Sequence, residues 1–190
     1  MSFVSPRYLS QFVFLGLPLV FSAPFWCLGG VLNAALADAP ATQIVTLAPP
    51  MNALRAVQQL ALELVNQDRA AEGLLPMEID PLLSQAAQSH AEDMLRRNYF
   101  SHYSPEGQSP SDRLATAGRH GFPAENIVMG KNQRSRGINI QLLENFQDRW
   151  MHSADHRRNL LNRNYEKFGY GLAIDSASGR AFAVQMFSRR

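Results

Sequence analysis

Cysteine is almost absent from this chain: Cys27 is the only one in 190 residues, so no disulfide can form within it. Runs of one charge are absent as well. No stretch of like charge exceeds two residues, and 18 Lys and Arg stand against 16 Asp and Glu, which excludes the dense basic stripe of a nucleic-acid module. Charge is also missing from the N-terminal end, where Arg7 is the one charged residue before Asp38.

That last absence divides the chain. From Phe12 to Leu32 the sequence is uncharged and mostly apolar, and Ala35-Leu36-Ala37 follows. A short positive region, an apolar core and an A-x-A site read as a secretory signal peptide over 1–37. The alternative is an uncleaved N-terminal anchor, since the apolar stretch is longer than the usual core. Pro18, Pro24 and Gly29-Gly30 weaken it as a helix. Either way Arg7 stays on the cytoplasmic side and the remainder is extracytoplasmic. Cys27 lies within this segment, so the exported part has to be stable without disulfides. Residues 38–51 read as a Pro-rich linker, and one domain is expected over 52–190.

Within that domain, Leu54, Val57, Ala61, Leu64 and Val65 recur at the spacing of one buried helical stripe, and Gly73 supplies the stop. Asp80-Pro81 predicts a capped second helix carrying Leu82, Leu83, Ala86, Ala87, His90, Met94 and Leu95 on its inner side. His90 then reads as a packed core histidine. Residues 99–109 are loop-like, Ser109-Pro110 opens a short helix closed by Gly118, and Glu125 to Met129 is a strand. Ile140, Leu143, Phe146 and Trp150 predict a further helix, and Ser153 a cap that starts another helical turn. Phe168–Ile174 and Ala181–Phe187 flank Ser176-Ala177-Ser178-Gly179 as a C-terminal antiparallel hairpin. Helices first and a hairpin last give an α+β layered class.

Histidine is the scarce chemical resource, with His90, His102, His120, His152 and His156 in the chain. Neutral imidazoles bind divalent metals and exchange protons near neutral pH, so any that converge would define a site. His152 and His156 stand one helical turn apart, as in a zincin. That motif fails, because its water-activating Glu is replaced by Ser153. Glu125 beside Asn126 suits either a ligand role or the tying down of loop amides and an adjacent His. Arg157, Arg158, Arg163 and Lys167 read as a solvated face, with contact to anionic envelope polymers as the alternative.

Read together, the segments form an ordered set: Asn66-x-x-Arg69, Gly73-Leu74-x-Pro76, Phe100-Ser101-His102-Tyr103-Ser104-Pro105-Glu106-Gly107, Ala124-Glu125-Asn126-Ile127, Trp150-x-x-Ser153-x-x-His156-Arg157-x-Asn159-x-Leu161, Phe168-Gly169-Tyr170-Gly171 and Gln185-Met186-Phe187. In this order they closely resemble the bacterial branch of the CAP superfamily, the cysteine-rich secretory proteins, antigen 5 and pathogenesis-related class-1 proteins. The resemblance implies a three-layer α-β-α sandwich and an extracytoplasmic life. It also implies a cleft lined by two histidines and two acids, with divalent cations between the histidines. By motif the histidines fall on His102 and His156 and the first acid on Glu125. The second acid is replaced by Ser153, and the usual glycine before the glutamate is Ala124.

Two His, one carboxylate and a vacant position suit weakly bound Zn²⁺ or Mg²⁺. The expected site is therefore a cation site of His102, Glu125 and His156, with Ser153 and Asn126 lining the cleft. A secreted or envelope-associated binding module follows, for a small apolar or glycan ligand or an envelope component. The alternatives are a metal-assisted hydrolase of peptide or cell-wall material and a structural interaction module without ligand. No nucleic-acid partner is expected, and membrane contact only through an uncleaved N-terminal segment.

Overall fold

Glycine and aspartate set the first element boundaries. The computed structural model describes residues 51–131 and 139–189, so the expected leader and nearly all of the linker lie outside the described residues. Helix α1 (Met51–Ala71) ends at Gly73, whose φ of +68° suits a residue without Cβ. There the Leu74 amide donates to Arg69 O at 2.9 Å and the Gly73 amide to Ala70 O at 3.0 Å, the paired bonds of a Schellman close. Strand β1 (Glu78–Ile79) leads into α2 (Pro81–Arg97). Asp80 caps it, its Oδ1 accepting from the amides of Leu82 and Leu83 at 3.0 and 2.9 Å. A reciprocal Ser109/Asp112 capping box opens α3 (Pro110–Thr116).

Then follow β2 (Ala124–Lys131), α4 (Ile140–Met151), α5 (Ala154–Leu160), β3 (Lys167–Ile174) and β4 (Arg180–Ser188). The α4 stripe departs from the sequence expectation in one place. Ile140 is exposed, and Leu142 joins Leu143, Phe146 and Trp150 on the buried side. Ser153 holds the N-cap position of α5 with extended φ and ψ, but its hydroxyl makes no capping bond. The cap hydroxyl expected there is therefore uncommitted to the helix.

The sheet has the order β1-β3-β4-β2, with β1 parallel to β3 and the other pairs antiparallel. Strand alternation assigns its two faces. On one, Gly169 and Gly171 let α2 lie directly on β3: a Cβ at either position would stand 2.3 Å from backbone carbon of Leu83 or Ala87. Leu83, Ala87, Ala91 and Met94 pack there with Phe182, Val184 and Met186 of β4. On the other face, Tyr170 meets Trp150 of α4 edge-on, 6.3 Å between ring centres. A buried bond from Gln147 Nε2 to Asp68 Oδ2, 2.8 Å, joins α4 to α1 on this same side. The result is the α+β, three-layer α-β-α arrangement with a C-terminal hairpin.

Both sheet edges are covered by side chains, which blunts further strand pairing. Beyond β1, Gln58 Nε2 donates to Tyr170 O, while Gln88 both donates to Leu172 O and accepts from its amide. Along β2, Trp150 Nε1 donates to Ile127 O at 3.2 Å and Arg149 Nη1 to Met129 O at 2.6 Å. This second edge carries the site.

Candidate functional site

Because side chains alternate along β2, Glu125 and Asn126 point to opposite faces of the sheet. Glu125 turns toward α2, α3 and the 99–109 loop. Its Oε1 lies 2.8 Å from His102 Nδ1, and its Oε2 accepts from Arg113 Nη2 at 2.7 Å. The carboxylate is 2% exposed and the guanidinium 4%, a buried pair of opposite charges. Arg113 also donates to His102 O at 2.9 Å and to Gln108 O at 3.0 Å, so one side chain holds the loop at two points. His90 completes the support: its Nε2 stands 2.9 Å from Ser101 O, the carbonyl just before His102, and 3.9 Å from Glu125 Oε1. Burial lowers the His90 pKa from its ordinary value, and the nearby Glu125 charge opposes that only in part.

Asn126 faces the opposite layer. It is wholly buried, donating to His156 O at 3.1 Å and to Gln185 Oε1 at 3.2 Å, while Asn159 Nδ2 donates to its Oδ1 at 2.9 Å. Gln185 passes the chain on to Gln147 Oε1 at 2.9 Å, and Gln147 to Asp68. Four amides thus donate in one direction and end on a carboxylate, with every bond inside the protein. This network fixes the backbone of α5 at His156.

Between the two supports lies a cavity of ≈ 510 Å³, lined among others by Phe100, His102, Tyr103, Arg149, Ser153 and His156. His102 comes from the α2 side of the edge and His156 from the α5 side. Burial lowers the His156 pKa most, the nearby His102 lowers it further, Asp155 opposes the shift and Arg149 adds a smaller lowering, which places all four in one electrostatic neighbourhood. With Glu125 on Nδ1, the remaining ring nitrogen of His102, Nε2, is the one available to a ligand.

Two expectations from the sequence are altered by this geometry. Asn126, expected to line the cleft, is buried beneath it, because the strand period sends it to the other face. Glu125, expected as a cation ligand, has each oxygen engaged by a protein donor and stands behind His102. Among the described residues no group of three or more His, Cys, Asp and Glu is arranged to hold a metal ion. His152 is not brought to His156: it is exposed, with Nδ1 2.7 Å from Asp148 O, and His120 is exposed as well. Ser153 lines the cavity. Arg113 and Arg149 were not singled out, since a lone arginine in a helix carries no motif.

The sequence model described as CAP: Cysteine-rich secretory protein family matches residues 62–187. The chain belongs to this family. The chain is 35% identical over 147 residues to the uncharacterized protein YkwD of Bacillus subtilis, an alignment covering 77% of this chain and 52% of YkwD. Among solved structures, an extracellular protein containing a SCP domain from Bacillus anthracis matches with a TM-score of 0.57 and 26% identity, over 75% of this chain and 45% of that one. An outer surface protein of Borrelia burgdorferi matches with a TM-score of 0.58 and 18% identity, over 77% and 100% of the two chains. The last shares the CAP fold with this chain. The chain spans about half the length of YkwD and of the Bacillus anthracis protein. Among the described residues no helix of the CAP domain is long and apolar enough to cross a membrane.

Proposed function

We propose that this CAP domain is an extracytoplasmic binding module whose cleft presents two imidazoles, His102 and His156, to a ligand. The observation that carries the reading is the Glu125 carboxylate on His102 Nδ1 at 2.8 Å, inside the Arg113 bond at 2.7 Å. A buried carboxylate that fixes the tautomer of a half-exposed imidazole is the supporting arrangement found behind metal-ligating and ligand-binding histidines. The likeness to an extracellular SCP-domain protein supports the location.

A divalent cation would be held by His102 Nε2 and His156, with Glu125 orienting rather than ligating. Two protein nitrogens are fewer than the three that catalytic zinc sites usually provide. The donor set therefore suits a weak, exchangeable ion whose remaining positions are filled by water or ligand. Among the described residues that line the cleft there is no carboxylate to activate that water, which favours binding over hydrolysis. The test is calorimetric titration of Zn²⁺ and Mg²⁺ into the exported domain and into the His102→Ala/His156→Ala variant. Loss of Zn²⁺ binding in the variant is expected, and equal affinity in both proteins would remove the assignment.

A further inference from the structure

The charges around the cleft point to a ligand class of their own. The residues lining it include one fixed cation, Arg149, and among the described residues no carboxylate. Glu125, behind His102, is neutralised by Arg113 in the buried pair. Asp155, whose charge reaches His156, is strongly exposed and paired with Arg158 at 3.0 Å. Ser153, on the same lining, is uncharged. The fixed charge on the lining itself is the Arg149 cation.

Arg149 is held in place. One of its five N–H donors goes to Met129 O at 2.6 Å. Packing at Gly130 leaves room for this: a Cβ there would meet the Phe146 ring at 2.8 Å and approach Arg149 Nη1 at 3.6 Å. A guanidinium anchored through one nitrogen can still offer a planar pair of donors to a carboxylate. The Ser153 hydroxyl, unused as a cap, lines the same cavity, as do both imidazoles. On the same lining, Phe100 is 45% and Tyr103 58% exposed, two aromatic rings open to an apolar partner.

We propose that the cleft binds a carboxylate carried on an apolar body, the carboxylate meeting the Arg149 guanidinium and the Ser153 hydroxyl and the body lying on Phe100 and Tyr103. This deepens the reading of the cleft as a binding site. It requires no metal ion, so the two can fail separately.

The test uses chelator-treated protein and two probes of nearly equal shape, 3-phenylpropionate and 3-phenylpropanamide, followed by calorimetry and by chemical-shift changes at the cleft. The acid is expected to bind about tenfold more tightly than the amide, the size of a charge-assisted pair against a neutral bond. Arg149→Gln should bring the two probes to within about twofold, and Phe100→Ala should weaken both by a similar factor. In the unmutated protein the acid's advantage should shrink as NaCl is raised, a readout that needs no variant to fold. Equal binding of acid and amide, binding of neither, an advantage indifferent to salt, or an advantage that survives Arg149→Gln in a folded variant would each overturn the proposal.

Discussion

His102 Nδ1 faces Glu125 Oε1 at 2.8 Å, while the other oxygen of that glutamate is held by Arg113 at 2.7 Å. The imidazole is 45% exposed and the glutamate 2%, so a buried charge pair holds a solvent-facing ring by one nitrogen. The cation reading of the cleft depends on that ring presenting its second nitrogen.

Replacing the carboxylate should therefore affect stability as well as binding. Glu125→Gln leaves the Arg113 guanidinium buried without its counter-charge, which costs about 3–5 kcal/mol when a buried pair is broken on one side. Denaturant unfolding of the variant should show the loss as a lower midpoint. An unchanged midpoint would mean that the pair is relaxed by water or by movement of the loop.

The amide network under His156 makes a second prediction. Asn126→Leu removes a partner from three groups at once: Gln185 Oε1, the His156 carbonyl, and Asn159 Nδ2, which keeps only a 3.5 Å bond to Glu125 O. Each unpaired buried group costs about 1–3 kcal/mol. The variant should lose several kcal/mol and, if it still folds, show faster hydrogen exchange through α5. Stability within about 0.5 kcal/mol of the parent, the range of an ordinary surface change, would contradict the network's role.

The contact of α2 with β3 is tested by glycine. Gly171→Ala puts a Cβ 2.3 Å from the Ala87 carbonyl carbon, backbone that cannot swing aside. Its cost should reach or exceed the upper end of the 1–3 kcal/mol of ordinary overpacking, roughly. Gly121→Ala, whose Cβ would find Leu114 Cδ2 at an ordinary 3.5 Å, is the matched control and should be nearly neutral. Similar melting temperatures for the two variants would contradict the close approach.

Acid sensitivity follows from the buried His90 and the half-buried His156. Both His90 and His156 have pKa values lowered from 6.5, in each case chiefly by burial. Below that value the unfolded chain takes up protons that the folded one resists, so stability rises with pH across this window. It is fully present above the unfolded value and is lost as the pH falls through it toward the folded values. Urea unfolding at pH 7.5 and at pH 5.5 should give the lower stability at the acid end; the reverse order would contradict the burial argument.

Much of the fold was legible because its signals are local. Asp80-Pro81, Ser109-Pro110 and Gly73 mark element ends through caps and a positive φ, and α1 and α2 bury the stripes that their spacing predicts except at Leu54 and Leu82, which are partly buried. The site was legible only through residue types that stand out. His102 and His156 do reach one cavity, but the partners of Glu125 come from elements distant in sequence, and no periodicity reports that Arg113 will turn inward. Asn126 was misplaced for a simpler reason. A motif puts neighbours together in the sequence, whereas a strand sends them to opposite faces of the sheet.

The central claim is that His102 and His156, and no other histidines, face a shared ligand. Nitrogen-15 spectra of the imidazoles, recorded on chelator-treated protein and again with Zn²⁺, test it most directly. The account predicts a His102 ring protonated at Nδ1 and unprotonated at Nε2 before addition. On Zn²⁺ the His102 Nε2 signal and the His156 ring should shift together, with His90, His120 and His152 unmoved. A His102 tautomer protonated at Nε2, or a response confined to His152 or His120, would contradict it.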